Sequence, residues 1–292
     1  MELLSEKFER VLAYIDTHLN TSLSLDTLAD IAQVPQCHFD NIFMSLFHST
    51  SSQYIQLLRN LEAAHQLGFD KNISIMQVAQ SVGYVDEATF TTEFTASIGQ
   101  SPSDFQLHPD WGNFFVKQQP LKTLSEGHET LSADDVNVEV IRLETIPCIA
   151  IKHQASEQYL PQTIQSMRAF RQAHKLSPQF SRTFNLIHQF QQNASGQINM
   201  DIAVSVTAEQ KAQLTAVIND SEHFYFSEIP QGQYATFLHT GTDEELKKKL
   251  NYLFASWLSL QHKTLANYPL FFERLNILQQ DNAQTRVFLG VV

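Results

Sequence analysis

Apolar residues recur at helical spacing from Phe8 to Phe105. Val11, Ile15 and Leu19 fall every four residues, and Tyr54, Leu57, Leu58 and Leu61 mark a second stripe. After Phe105 comes Gln-Leu-His-Pro-Asp-Trp-Gly, where Pro109 and Gly112 are expected to break helix continuity, and a polar stretch then runs from Lys117 to Asp135. Beyond it the pattern changes to short alternating runs. Val136-Val138-Val140, Ile149-Ile151, Ile202-Val204-Val206 and Val287-Leu289-Val291 read as strands, with amphipathic segments at Tyr159–His174 and Asp243–Leu260 between them. The pattern predicts two domains: an all-α domain over residues 1–108, a linker over 109–135, and an α+β domain over 136–292.

Composition narrows the class. A chain of 292 residues suits two domains of ordinary size, and 43% hydrophobic with 17% charged residues is a globular balance. The formal charge of −12 excludes a generally basic nucleic-acid coat. Cys37 and Cys148 are too few for a disulfide framework or a four-cysteine metal site. The first residues lack the basic start and apolar run of an export signal, and the richest apolar stretch, Tyr252 to Leu260, is too short to span a bilayer. The expectation is a soluble cytoplasmic protein with no membrane partner.

The helical half repeats itself. Ser24-Leu25-x-x-Leu28-Ala29 recurs as Ser74-Ile75-x-x-Val78-Ala79, and Phe39 and Phe43 are matched by Phe90 and Phe94. Ser24 and Ser74 offer hydroxyls to free helix amides, Ala29 and Ala79 permit a close helix crossing, and Gly83 can take the positive φ of the turn. With Ile98-Gly99-x-Ser101-Pro102-x-x-Phe105 closing the second copy, these residues resemble the DNA-binding domain of the AraC/XylS family of transcription regulators. The resemblance covers most of residues 5–107 and implies a double helix-turn-helix domain, joined by a long helix at about Ser51 to Leu67. It places Gln36, His38, Asn41, Arg59, Thr89 and Thr92 as DNA-contact candidates, with promoter DNA as a partner.

Charge complicates that partner. Family recognition helices carry basic residues around the paired aromatics, whereas the matching positions here are Asn41, Met44, Thr92 and Thr95. Residues 1–108 hold four cations (Lys7, Arg10, Arg59 and Lys71) against thirteen acids, a formal charge of −9. Asp40, Asp86, Glu87 and Glu93 fall in or beside the expected reading helices, where they repel phosphate. A second reading follows, in which the acidic domain has lost direct DNA binding and acts through RNA polymerase or another regulator protein.

The C-terminal half also repeats. Ile146-Pro147-Cys148-Ile149-Ala150-Ile151-Lys152-His153 is echoed by Ile229-Pro230 and then Tyr234-Ala235-Thr236-Phe237-Leu238-His239, each copy followed by a helix and two strands. Two strand-helix-strand-strand repeats can join edge to edge around a cleft. Ile229-Pro230-x-Gly232-x-Tyr234-Ala235, His239-x-Gly241, the helix with Trp257, and Pro269-x-x-Phe272-Glu273 resemble the gyrase-inhibitor-like (GyrI-like) effector-binding domain. That resemblance implies a small-molecule effector, often a lipophilic cation, and a cleft glutamate at Glu273; Leu275 stands where the family usually has Tyr. The ligand-binding candidates are Glu273, Tyr234, Phe237, Trp257, Tyr268 and Phe271. An ionised Glu273 among aromatic residues is costly without a cationic partner, which a ligand could supply.

Other chemistry is thin. The twelve histidines form neither His-x-x-x-His nor His-Glu-x-x-His, which argues against a metal site. No phosphate loop, Gly-x-Gly-x-x-Gly or Gly-x-Ser-x-Gly occurs, so no cofactor is expected. Lys247-Lys248-Lys249 follows Asp243-Glu244-Glu245 at pairing distance along one helix, a solvated face. Gln189 to Asn193 reads as a polar hairpin with Gly196 in its turn. The chain therefore reads as a regulator without catalytic residues. A small-molecule hydrolase using a GyrI-like cleft is the third alternative.

Overall fold

The structure, a computed structural model, describes residues 3–117, 136–189, 196–275 and 284–292. By Cα proximity the chain divides into two compact units, Met1–Gln33 with Phe43–Thr130 and Val34–Ile42 with Leu131–Val292.

The N-terminal part is helical, as its spacing predicts. In chain order the helices are α1 (Leu4–Thr17), α2 (Leu25–Ala32), α3 (Gln36–Phe47), α4 (Ser51–Phe69), α5 (Ile75–Ser81), α6 (Glu87–Ile98), α7 (Pro102–Leu107) and α8 (Trp111–Lys117). Side-chain caps start most of them. Ser24 Oγ accepts from Thr27 N, Ser74 Oγ from Gln77 N, Asp86 Oδ1 from Thr89 N, and Ser101 Oγ from Asp104 N. Each cap satisfies an amide that helix geometry leaves free. Phe90, Phe94 and Phe105 are fully buried with Ala63, Ala64 and Leu67, so α4 and the second helix pair share one core.

Helix α8 falls inside the expected linker. Helix continuity breaks between Leu107 and Trp111, as Pro109 predicts, but Gly112 lies inside a new helix, where Asp110 Oδ1 accepts from Asn113 N at 3.0 Å. Trp111 then meets Phe105 edge-on at 5.2 Å, and burial of Phe114 secures the turn. Residues 118–135, the rest of that linker, lie outside the described residues.

The two helix-turn-helix copies solve their turns differently. Gln33 occupies the left-handed region at φ 53° after α2, whereas Gly83 does so at φ 87° after α5. A Cβ on Gly83 would lie 2.5 Å from Leu19 O and 2.8 Å from Arg59 Nη2. Arg59 itself donates from Nε to Leu19 O at 3.0 Å and from Nη2 to Thr21 O at 2.8 Å, tying α4 to the end of α1. Gly83→Ala should therefore cost about 2 kcal/mol or more in urea unfolding, combining backbone strain with the clash. A loss below about 0.5 kcal/mol would show that the turn relaxes freely.

The second unit is built on β1 (Glu139–Leu143), β2 (Ile146–Ser156), α9 (Leu160–Ala173, entered through a 3-10 turn), β3 (Thr183–Gln189) and β4 (Gln197–Ser205). It continues with α10 (Ala208–Asn219), β5 (Phe224–Ile229), β6 (Gly232–His239), α11 (Asp243–Tyr252), β7 (Leu270–Leu275) and β8 (Gln284–Val291). Helix α11 runs on through a π-helical turn at Leu253–Trp257 to Leu260. The first strand begins at Glu139 rather than Val136. Helix α10 and strand β5 were not read from the sequence. The buried residues of α10 are only Leu214 and Ile218, too thin a stripe to stand out, although Thr207 and Gln210 form a capping box. The expected polar hairpin falls on residues 190–195, outside the described residues.

The eight described strands form one antiparallel sheet in the order β1-β6-β8-β7-β3-β4-β2-β5. The two repeats meet where β3 pairs with β7, with Phe184 opposite Glu273 and Leu186 opposite Phe271. Strand alternation then assigns faces. Phe184, Leu186, Ala203, Tyr234, Phe271 and Phe288 belong to one buried cluster. Thr183, Asn185, Met200, Ile202 and Arg274 alternate to the opposite face.

Candidate functional site

The clustered sheet face brings four of the six ligand candidates together. Phe271 stacks on Phe288 at 4.7 Å and meets Tyr234 and Tyr268 edge-on at 5.4 and 6.0 Å. Tyr234 Oη donates to Pro230 O, and Tyr268 Oη donates to Glu228 O. Glu273 lies on this face beside Phe184. Phe237 alternates to the other face of β6, and Trp257 lies in the π-helical turn of the second repeat. Both are buried, and alternation separates Phe237 from the Tyr234 face.

Glu273 already has a cation. Arg182 Nε donates to Glu273 Oε1 at 2.6 Å and Nη2 donates to Oε2 at 2.8 Å, a two-point clamp. The guanidinium carbon sits 4.9 Å from the centre of the Phe184 ring. The carboxylate side chain is 7% exposed and the arginine 39%, so the pair is buried at its acid end and open at its basic end. Arg286 stands opposite Glu273 in the β7–β8 register.

A second polar group on this face lies among β3, β4 and β5. His188 Nε2 is 2.6 Å from Oδ2 of the buried Asp201. Burial, followed by the nearby Asp201 carboxylate, drives the Tyr225 phenol upward. Burial also pushes the Cys148 thiol and the Tyr234 phenol up to about 12 each, and drives Tyr268 higher still. These groups stay protonated at neutral pH, which suits hydrogen bonding and apolar contact rather than nucleophilic attack.

Sequence reading did not find Arg182, His188, Asp201 or Tyr225. Alternation from Phe184 carries His188 to the aromatic face, a signal available in the sequence. The pairing of Arg182 with Glu273 spans 91 residues and depends on the β3–β7 seam.

The DNA-contact candidates scatter. Gln36, Thr89 and Thr92 are exposed, whereas His38 and Asn41 are buried. Burial lowers the His38 pKa to about 4, so its imidazole is neutral at physiological pH. Arg59 is half-buried and committed to Leu19 O and Thr21 O. Thr89 Oγ1 donates to Asp86 Oδ2, and Thr92 Oγ1 donates to Ala88 O. No described helix is long and apolar enough to cross a membrane.

The chain thus joins duplicated helix-turn-helix units to a two-repeat sheet whose seam carries the Arg182–Glu273 pair. Residues 137–292 match the GyrI-like small molecule binding domain family, and residues 28–108 match a helix-turn-helix domain family. The helical part is similar to Regulatory protein SoxS of Escherichia coli strain K12, 29% identical over 96 residues that cover 33% of this chain and 89% of SoxS. It is also similar to the probable transcription factor PqrA of Proteus vulgaris, 31% identical over 98 residues that cover 33% of this chain and 80% of PqrA. Among solved structures, the EcmrR C-terminal domain covers 53% of this chain and 96% of its own, at 14% identity and a TM-score of 0.42. The chain belongs to the GyrI-like family and carries an AraC-type helix-turn-helix domain ahead of that module. It is an AraC-type transcription regulator with a GyrI-like effector-binding domain.

Proposed function

We propose that this regulator senses an organic cation at Glu273, and that the ligand's charge replaces the Arg182 guanidinium there. The observation that carries this reading is the clamp itself. A buried carboxylate is held by an arginine that is partly open to solvent and lies against an aromatic ring. An aromatic-bodied cation offers Glu273 the same charge with more apolar surface, and releases Arg182 to water. The regulatory step is a coupling free energy: the ligand favours the state in which Arg182 is displaced, and that population rises with ligand concentration.

Titration calorimetry of the full chain with tetraphenylphosphonium and a neutral analogue of equal size tests this. Glu273→Gln should weaken the cation by roughly 2–5 kcal/mol, the usual cost of breaking a desolvated charge pair. Arg182→Leu should tighten it, because the internal competitor is gone. Equal affinity for the charged and neutral compounds, unchanged in Glu273→Gln, would mean that the Arg182–Glu273 pair is purely structural.

The acid-rich recognition helices favour a second reading for the helical domain. In it, direct DNA affinity is weak, and promoter action runs through RNA polymerase or another regulator.

A further inference from the structure

The opposite side of the sheet holds a cavity with different chemistry. It encloses about 780 Å³ between α9 and strands β3, β4 and β7, within the range of small-molecule sites. Leu160, Ile164 and Met167 of α9 face Met200 and Ile202 of β4 across it, giving an apolar body. Four cations complete the lining: Arg168 and Arg171 from α9, Lys175 from the following loop, and Arg274 from β7. No aspartate or glutamate is among the described lining residues. Arg168, Lys175 and Arg274 are exposed, so the positive charge gathers at the open side while the aliphatic residues form the interior.

Arg171 differs from the other three, being 7% exposed. It donates from Nε to Leu176 O at 2.8 Å, from Nη2 to Ser181 O at 2.9 Å, and from Nη1 to Thr183 Oγ1. Two carbonyls and a hydroxyl hold the guanidinium in place, but none of them carries a countercharge. Burial lowers the pKa of Arg171, and Asp243, the carboxylate near Arg274, lies outside the lining. A site of this kind favours an anion, because the ligand supplies the negative charge that the protein does not.

We infer that this cavity is a second ligand site, selective for an amphiphilic monoanion: an alkyl carboxylate with its chain among Leu160, Ile164, Met167, Met200 and Ile202 and its head group at the Arg168–Lys175–Arg274 rim. It is separate from the Glu273 site. The two lie on opposite faces of one sheet and prefer opposite charges, so the inference stands or falls independently of cation sensing.

The two methionines allow a direct test. The full chain, labelled with 13C at its methionine methyl groups, is titrated with dodecanoate, dodecanol and dodecyltrimethylammonium, each below its micelle concentration. Dodecanoate should shift the Met167 and Met200 methyl resonances while Met44 and Met76 stay in place. Its affinity should exceed that of dodecanol at least tenfold and that of the cation by more. Replacing two of the three rim cations, Arg168→Gln with Lys175→Gln, should weaken dodecanoate at least fivefold. Both residues are exposed, and Arg171, which ties helix to sheet, is untouched. Saturating tetraphenylphosphonium should not displace dodecanoate. The inference is overturned if dodecanoate moves neither Met167 nor Met200, if the three compounds bind alike, or if the double variant binds as the parent does.

Discussion

Titrated with labelled duplex DNA at physiological salt, the full chain should bind no more tightly than about 10⁻⁶ M, with a salt slope on the order of −1 to −2. The expectation rests on counting available cations. The segments Gln36–Phe47 and Asp86–Ile98 contain no lysine or arginine, but they do contain Asp40, Asp86, Glu87 and Glu93. Arg59, the arginine of the connecting helix, spends its donors on Leu19 O and Thr21 O. His38 is buried and neutral. Each phosphate contact contributes roughly −0.9 to the slope, so a regulator with six or more contacts would differ plainly. Thr92 and Thr95 lie exposed on α6. Replacing both with arginine should steepen the slope by about two and raise affinity at low salt. Nanomolar binding with a steep slope in the parent chain would overturn the charge argument and leave direct promoter recognition in place.

Phe271→Ala should destabilise the C-terminal unit by about 3–5 kcal/mol in urea unfolding, the range for truncating a fully buried aromatic. Phe271 is wholly inaccessible and touches rings on four sides: Phe184, Tyr234, Tyr268 and Phe288. An alanine leaves a hole that Phe184 on β3, Tyr234 on β6 and Phe288 on β8 cannot collapse into without breaking register. The measurement also bears on ligand sensing. A loss under about 1 kcal/mol would mean that the cluster is loosely packed and open to a ligand. A loss in the expected range means that a cation must reach Glu273 past the rings, from the Arg182 side.

The helical domain was legible because its evidence is local. Ser24 and Ser74 lie next to the helices they cap, and Gly83 stands in the turn that needs its positive φ. The break at Pro109 was legible in the same way, but the new helix that Asp110 begins, with Gly112 inside it, was not, because burial of Phe114 holds it. In the sheet, alternation gave most strands. It could not show that Arg182 reaches Glu273, because that contact depends on how the two repeats join. Nor could it separate Phe237 from Tyr234 as site candidates until β6 had a defined face. The cavity under α9 was equally hidden. Its four cations come from a helix, a loop and a strand, and none forms a run in the sequence.

The strand order also bears on how the chain is made. β8, made after the other described strands, is inserted between β6 and β7 rather than added at an edge. Until it arrives, β1 and β6 form a separate ribbon whose one link to the other strands is missing. β5 meanwhile must pair with β2, more than seventy residues upstream, instead of its neighbour β6. The nascent domain thus presents unpaired strand edges until residues 284–291 have been made, a window in which it is exposed to misassembly. Loss of residues 284–291 would remove the strand that joins the two parts of the sheet.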